Sequence, residues 1–99
     1  MQDVEAEVLR LARLARDAGV HGVVCAGTEA AAVRDKIGNA LFAVVPGVRL
    51  PGADSHDQSR VVTPRDAVAA GARYIVLGRT VTAAKAPRDA MKEVLADLP

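Results

Sequence analysis

The chain has 99 residues, a formal charge of +1, and 51% hydrophobic but only 2% aromatic residues. That apolar content argues against disorder, the length suits one domain over residues 1–99, and interleaved acids and bases leave no basic block for nucleic acid. The single cysteine, Cys25, excludes an internal disulfide and fits a reducing cytoplasm, no apolar run reaches the ~18 residues of a bilayer span, and the acidic start MQDVEAEVLR is unlike a signal peptide.

Val4, Val8, Leu11, Ala15 and Ala18 recur at three- and four-residue steps, which predicts a first helix with one apolar stripe. Asp3, Glu5 and Glu7 precede Arg10, Arg13 and Arg16, the charge order a helix dipole favours. Gly19 stands where a cap glycine ends such a helix. Next, Gly22 to Gly27 (GVVCAG) is short, apolar and β-branched without polar alternation, as in a parallel strand buried on both faces. Cys25, inside it, reads as a buried structural thiol. Thr28 is placed to cap a helix reaching Ile37, and Gly38 to end it.

Leu41 to Val45 (LFAVV) predicts a second buried strand, stopped by Pro46-Gly47. A long polar segment, Val48 to Arg60, follows. Thr63-Pro64-Arg65-Asp66 then marks a helix start: Thr63 as cap, Pro64 as first helical residue and Asp66 as acidic partner. Gly71 closes that helix. Tyr74 to Leu77 (YIVL) is a third buried strand, ending at Gly78-Arg79, and Pro87 opens a last helix to Leu98. The order α-β-α-β-α-β-α predicts an α/β fold with a parallel sheet and right-handed crossovers.

In such folds ligands meet the carboxyl ends of the strands. Three loops qualify: Ala26-Gly27-Thr28, Pro46 to Arg60, and Gly78-Arg79-Thr80. Gly78 lets the backbone approach a ligand closely, and Arg79 offers a planar, permanently charged fork suited to phosphate. The dipeptide alone leaves a second reading level with this one, a surface arginine paired with Asp66 or Asp89. The middle loop exceeds the usual length of about two to six residues. It carries a rigid turn and a second arginine, Arg49, and later Asp57, Gln58 and Arg60. Gln58 has an amide N–H to give a phosphate oxygen, whereas Ser55, His56 and Ser59 read as solvated loop. His21 reads as a surface or capping residue. His21, His56 and Cys25 lack ligand spacing, so no metal site is expected.

Taken in order, GVHGVVCAGTEA, VVPGVRLPG and DSHDQSRVVTPRDAVAAGARYIVLGRTVTAA resemble the orotidine 5'-phosphate decarboxylase family over essentially the whole chain. The resemblance implies a (β/α) barrel, of which this chain supplies three strands and four helices. The family's phosphate-binding arginine in its PGxR motif falls on Arg49. Its loop glutamine, which reaches phosphate and base, falls on Gln58, and its phosphate-binding Gly-Arg pair on Gly78 and Arg79. Thr80 departs from the proline that many members carry there. A sister barrel enzyme acting on sugar phosphates shares the terminal Gly-Arg but not the long loop around Gln58.

The resemblance also implies a reaction, orotidine 5'-phosphate to uridine 5'-phosphate (UMP) and carbon dioxide, without metal or organic cofactor. In the family a lysine protonates the carbon that carbon dioxide leaves, and aspartates organise that lysine. Its Asp-x-Lys-x-x-Asp motif has no counterpart around Lys36, Lys85 or Lys92, the lysines of this chain. No catalytic residue is therefore assigned, and the chain alone is expected to be inactive. A complete barrel takes about 250 residues. Three strands of it leave two sheet edges open, so pairing of copies into a homo-oligomer is expected.

Overall fold

The computed structural model describes residues 3–51 and 61–99. Helix α1 (Val4–Asp17) starts at Asp3, whose Oδ1 accepts from the Ala6 N–H at 3.3 Å. Strand β1 (Gly22–Val24) leads into α2 (Gly27–Ile37), and β2 (Phe42–Val45) follows. Beyond the 46–63 segment come α3 (Pro64–Ala69), β3 (Ala72–Ile75), a single-turn helix α4 (Arg79–Thr82) and α5 (Pro87–Asp97). The strands form one parallel sheet in the order β1-β2-β3, with Val24 beside Val44 and Val44 beside Tyr74. The alternating parallel design predicted from the sequence is what forms.

Several local expectations need correction. The described residues hold five helices, not four, because α4 is added after β3. A four-residue turn carries no hydrophobic period to find. The strands are also shorter or shifted relative to their apolar runs: Cys25 lies just past β1, and β3 starts at Ala72 rather than Tyr74. Helix α2 begins two residues early. Ala26 occupies the cap position instead of Thr28, and the Glu29 carboxylate accepts the Ala26 N–H at 3.1 Å. A capping acid reaching back from the first turn replaces a cap side chain that alanine lacks. At α3 the reading holds: Thr63 Oγ1 accepts from the Asp66 N–H at 3.2 Å, with Pro64 in the first turn.

The largest correction concerns burial. Ala43 and Val45 of β2 pack with Ala30, Val33 and Ile37 of α2 in a continuous core. The opposite face is open. Val24 is 71% exposed, Tyr74 52% and Val76 47%. These strands therefore bury one face, not two, because among the described residues helices cover only one side. Helix α1 repeats the pattern. It turns Leu9 and Ala12 into the core, whereas Val4 and Leu11 of the predicted stripe remain about half exposed. Val8, Leu11, Ala15, Val23 and Val24 instead line an apolar groove beside β1.

Candidate functional site

Parallel pairing puts the carboxyl ends of all three strands at one end of the sheet. Val45 is paired with Ile75, and the Val76 N–H extends the ladder to the Val45 carbonyl at 3.0 Å. Arg49 and Arg79 stand at equal distances along the chain beyond that pair. Both arginines thus leave the sheet at the same end.

The segment after β2 is built by a turn and a clamp. Gly47 has φ +72°, a left-handed conformation that glycine adopts without steric cost, and it redirects the chain after Pro46. Val48 then forms an isolated parallel bridge with Val62. The Arg49 N–H donates to the Val62 carbonyl at 2.8 Å, and the Val62 N–H to the Gly47 carbonyl at 3.3 Å. The sequence predicts a polar loop from Val48 to Arg60. In fact Val48 is fully buried and the two ends of that loop are joined. The same Val62 side chain lies where a Cβ on Gly27 would sit, 2.5 Å away, so the start of α2 is packed against the clamp. The first two carboxyl-end loops therefore meet.

Arg49 is only 6% exposed. Its Nη1 donates to the Val48 carbonyl at 3.0 Å, while its Nε is buried with no hydrogen-bond partner among the described residues. A guanidinium is always charged, and burying it without acceptors is costly. Such a group has donors to offer an anion.

The loop after β3 closes on the same carbonyl. Thr80 Oγ1 donates to Val48 O at 3.0 Å, joining the residue after Arg79 to the residue before Arg49. Gly78 caps α4. Its carbonyl accepts from the N–H groups of Val81 and Thr82, both at 3.0 Å, and from Thr82 Oγ1 at 3.1 Å. Among the described residues, a Cβ on Gly78 would meet nothing within 4 Å, so their packing leaves that position open. Arg79, the first residue of α4, is exposed.

The structure thus brings together the segments bearing Arg49, Gly78 and Arg79. Gln58, with Ser55, His56 and Asp57, lies outside the described residues. Sequence reasoning marked Thr80 only as a departure from a family pattern and missed Val62 altogether. A hydroxyl directly after the Gly-Arg pair was the one available signal for the first. Nothing marked Val62 as the partner of Val48.

A family model described as orotidine 5'-phosphate decarboxylase / HUMPS family matches residues 1–94. The chain belongs to this family. It is 47% identical over 94 residues to the orotidine 5'-phosphate decarboxylase of Nitrosococcus oceani, covering 95% of this chain but 40% of that protein. Against the enzyme of Alkalilimnicola ehrlichii the identity is 49% over the same span and coverage. The chain therefore spans about two-fifths of the curated relatives it matches. Among solved structures, the Lactobacillus acidophilus orotidine 5'-phosphate decarboxylase superposes with a TM-score of 0.77 at 30% identity, over 97% of this chain and 38% of that one. The fold is accordingly a partial TIM barrel with three parallel strands and five helices among its described residues.

Proposed function

We propose that this chain is the C-terminal, phosphate-holding portion of an orotidine 5'-phosphate decarboxylase, working as one partial-barrel domain in the cytoplasm. In this reading Arg49, Gln58, Gly78 and Arg79 hold the phosphate of orotidine 5'-phosphate or UMP. The observation that carries it is the Thr80–Val48 hydrogen bond, which places two arginine-bearing loops side by side at the carboxyl end of the sheet. Two guanidinium groups beside an open glycine suit a dianion, and charge-assisted bonds to phosphate are among the stronger ones.

The grip acts through binding energy. Contacts to a phosphate remote from the reacting carbon help the intact enzyme reach its transition state in pyrimidine biosynthesis. No metal or organic cofactor enters this reading. With no Asp-x-Lys-x-x-Asp lysine to protonate that carbon, the chain alone does not decarboxylate. Titration with UMP by calorimetry should show weak binding. Arg49→Ala or Arg79→Ala should weaken it about 10- to 100-fold, the range set by the ~1.5–3 kcal/mol of a hydrogen bond to a charged group. Unchanged binding in both variants contradicts the phosphate assignment. Loss of orotate absorbance above background, abolished in Arg79→Ala, contradicts inactivity.

A second reading rests on the open sheet face. Val24, Tyr74 and Val76 place exposed apolar side chains along it, and contiguous apolar surface of this kind favours association. The chain then pairs with a second copy into a homo-oligomer, as a self-assembling phosphate-binding module. Light scattering that gives a clean monomer at micromolar concentration rejects this.

A further inference from the structure

We propose that Thr80 is a positioning residue for the anion site: its hydroxyl fixes the Gly78-Arg79 turn to the buried segment that aims Arg49. The inference rests on the phosphate-holding reading above, and it adds a residue which that reading does not use.

The argument turns on one carbonyl. Val48 O receives Thr80 Oγ1 at 3.0 Å and Arg49 Nη1 at 3.0 Å. A carbonyl oxygen has two lone pairs, and it serves both donors here. One comes from the loop after β3, and the other is the guanidinium that faces the ligand in this reading. Val48 cannot shift to accommodate changes, since it is fully buried and bridged to Val62. The Arg49 backbone is held from the other side by its 2.8 Å bond to Val62 O. Arg49 is thus clamped through its main chain, and its side chain shares an acceptor with Thr80. Direct bonds from β2 to β3 stop at the Val45–Val76 rung. Past that rung, the Thr80 hydroxyl carries a hydrogen bond from one loop to the other. Valine or proline at position 80 has no side-chain donor to make it.

Removing the hydroxyl does not orphan the carbonyl, because Arg49 Nη1 still occupies it, so the fold should survive. What changes is how firmly the two arginines are held relative to each other. An anion then has to order them itself, and ordering lowers affinity.

The test uses the 99-residue chain with Thr80→Val, which is nearly isosteric, and Thr80→Ser, which keeps the donor. Two readouts are taken. The first is the hydrogen-exchange rate of the Arg49 backbone N–H and the linewidth of its Nε–H resonance in NMR spectra without ligand. The second is affinity for UMP and for inorganic phosphate. Thr80→Val should speed Arg49 exchange and weaken both ligands by about 3- to 10-fold, the value of one ordinary hydrogen bond. Thr80→Ser should restore both to within about twofold of the parent. If Thr80→Val leaves Arg49 exchange and linewidth unchanged, or if Thr80→Ser behaves like it, the positioning role is wrong. If the parent chain binds neither ligand, the phosphate-holding reading fails, and the exchange and linewidth data alone still decide the tie. Thermal unfolding of each variant separates a loosened loop from a lost fold.

Discussion

The two faces of the three-stranded sheet carry nearly the same kinds of residue and meet opposite environments. On one face Ala43 and Val45 lie under α2, packed with Val33 and Ile37. On the other, Val24, Val44 and Tyr74 stand in one registered row, with Val24 and Tyr74 exposed. Phe42 and Tyr74 meet edge to face with ring centres 5.5 Å apart, and the Arg73 guanidinium lies over both rings at 5.4 and 5.7 Å. The apolar composition of a strand therefore does not tell which of its faces this chain covers. Equal hydrophobicity on two faces does not mean equal contribution to stability, because only area removed from water contributes.

Substitution of matched valines breaks or sharpens this contrast most directly. Val45, fully buried, should lose about 2–3 kcal/mol on Val45→Ala, combining the transfer of two methyl groups with the cavity they leave. Val24→Ala, at 71% exposure, should cost under about 0.5 kcal/mol. Urea midpoints at constant slope measure both. Equal losses at the two positions would mean that Val24 is covered in solution, which is what the self-assembling reading requires.

That outcome leads to a smaller effect with its own measurement. Val24→Lys and Val76→Lys put charge on the open face without touching the core. In sedimentation experiments they should lower the self-association expected of that face, and leave UMP affinity within about twofold, since neither side chain belongs to the proposed anion grip. Association unaffected by both lysines would move the pairing surface elsewhere.

The fold was readable in the sequence where local chemistry is redundant. Thr63-Pro64 names the start of α3 in two independent ways, through a cap oxygen and a fixed φ. The apolar runs marked three parallel strands, although their ends shifted, because strand limits depend on partners: Val24 closes β1 opposite Val44, and the run through Gly27 extends past it. The candidate site was readable as residue types, with Arg49, Gly78 and Arg79 all at strand exits. Its assembly was not. The Val48–Val62 bridge and the Thr80–Val48 bond link positions 14 and 32 residues apart. No periodicity reports contacts of that range, and α4 is too short to leave one. One-sided burial was equally invisible, since a sequence lists apolar residues without saying which of them find cover.

The smallest expected effect probes the same boundary from α1. Glu7 lies on the helix surface beside Val4 and Leu11, at three- and four-residue spacing, and those side chains are about half exposed. Hydrogen bonds from Arg10 hold the Glu7 carboxyl below the usual glutamate value. A carboxyl whose pKa is lower folded than unfolded adds stability above its unfolded value. That contribution fades as pH falls through the folded value. Glu7→Gln should therefore lower stability slightly near neutrality, leave it unchanged in strong acid, and so flatten the loss below about pH 4.5. Because an exposed pair of this kind contributes little, the informative quantity is concentration dependence. If a second copy covers the Val4–Leu11 stripe, the pair becomes less hydrated, and the NMR titration of Glu7 should move as protein concentration rises. A titration identical in dilute and concentrated samples means that this flank of the open side stays in water and that any pairing of copies leaves α1 uncovered.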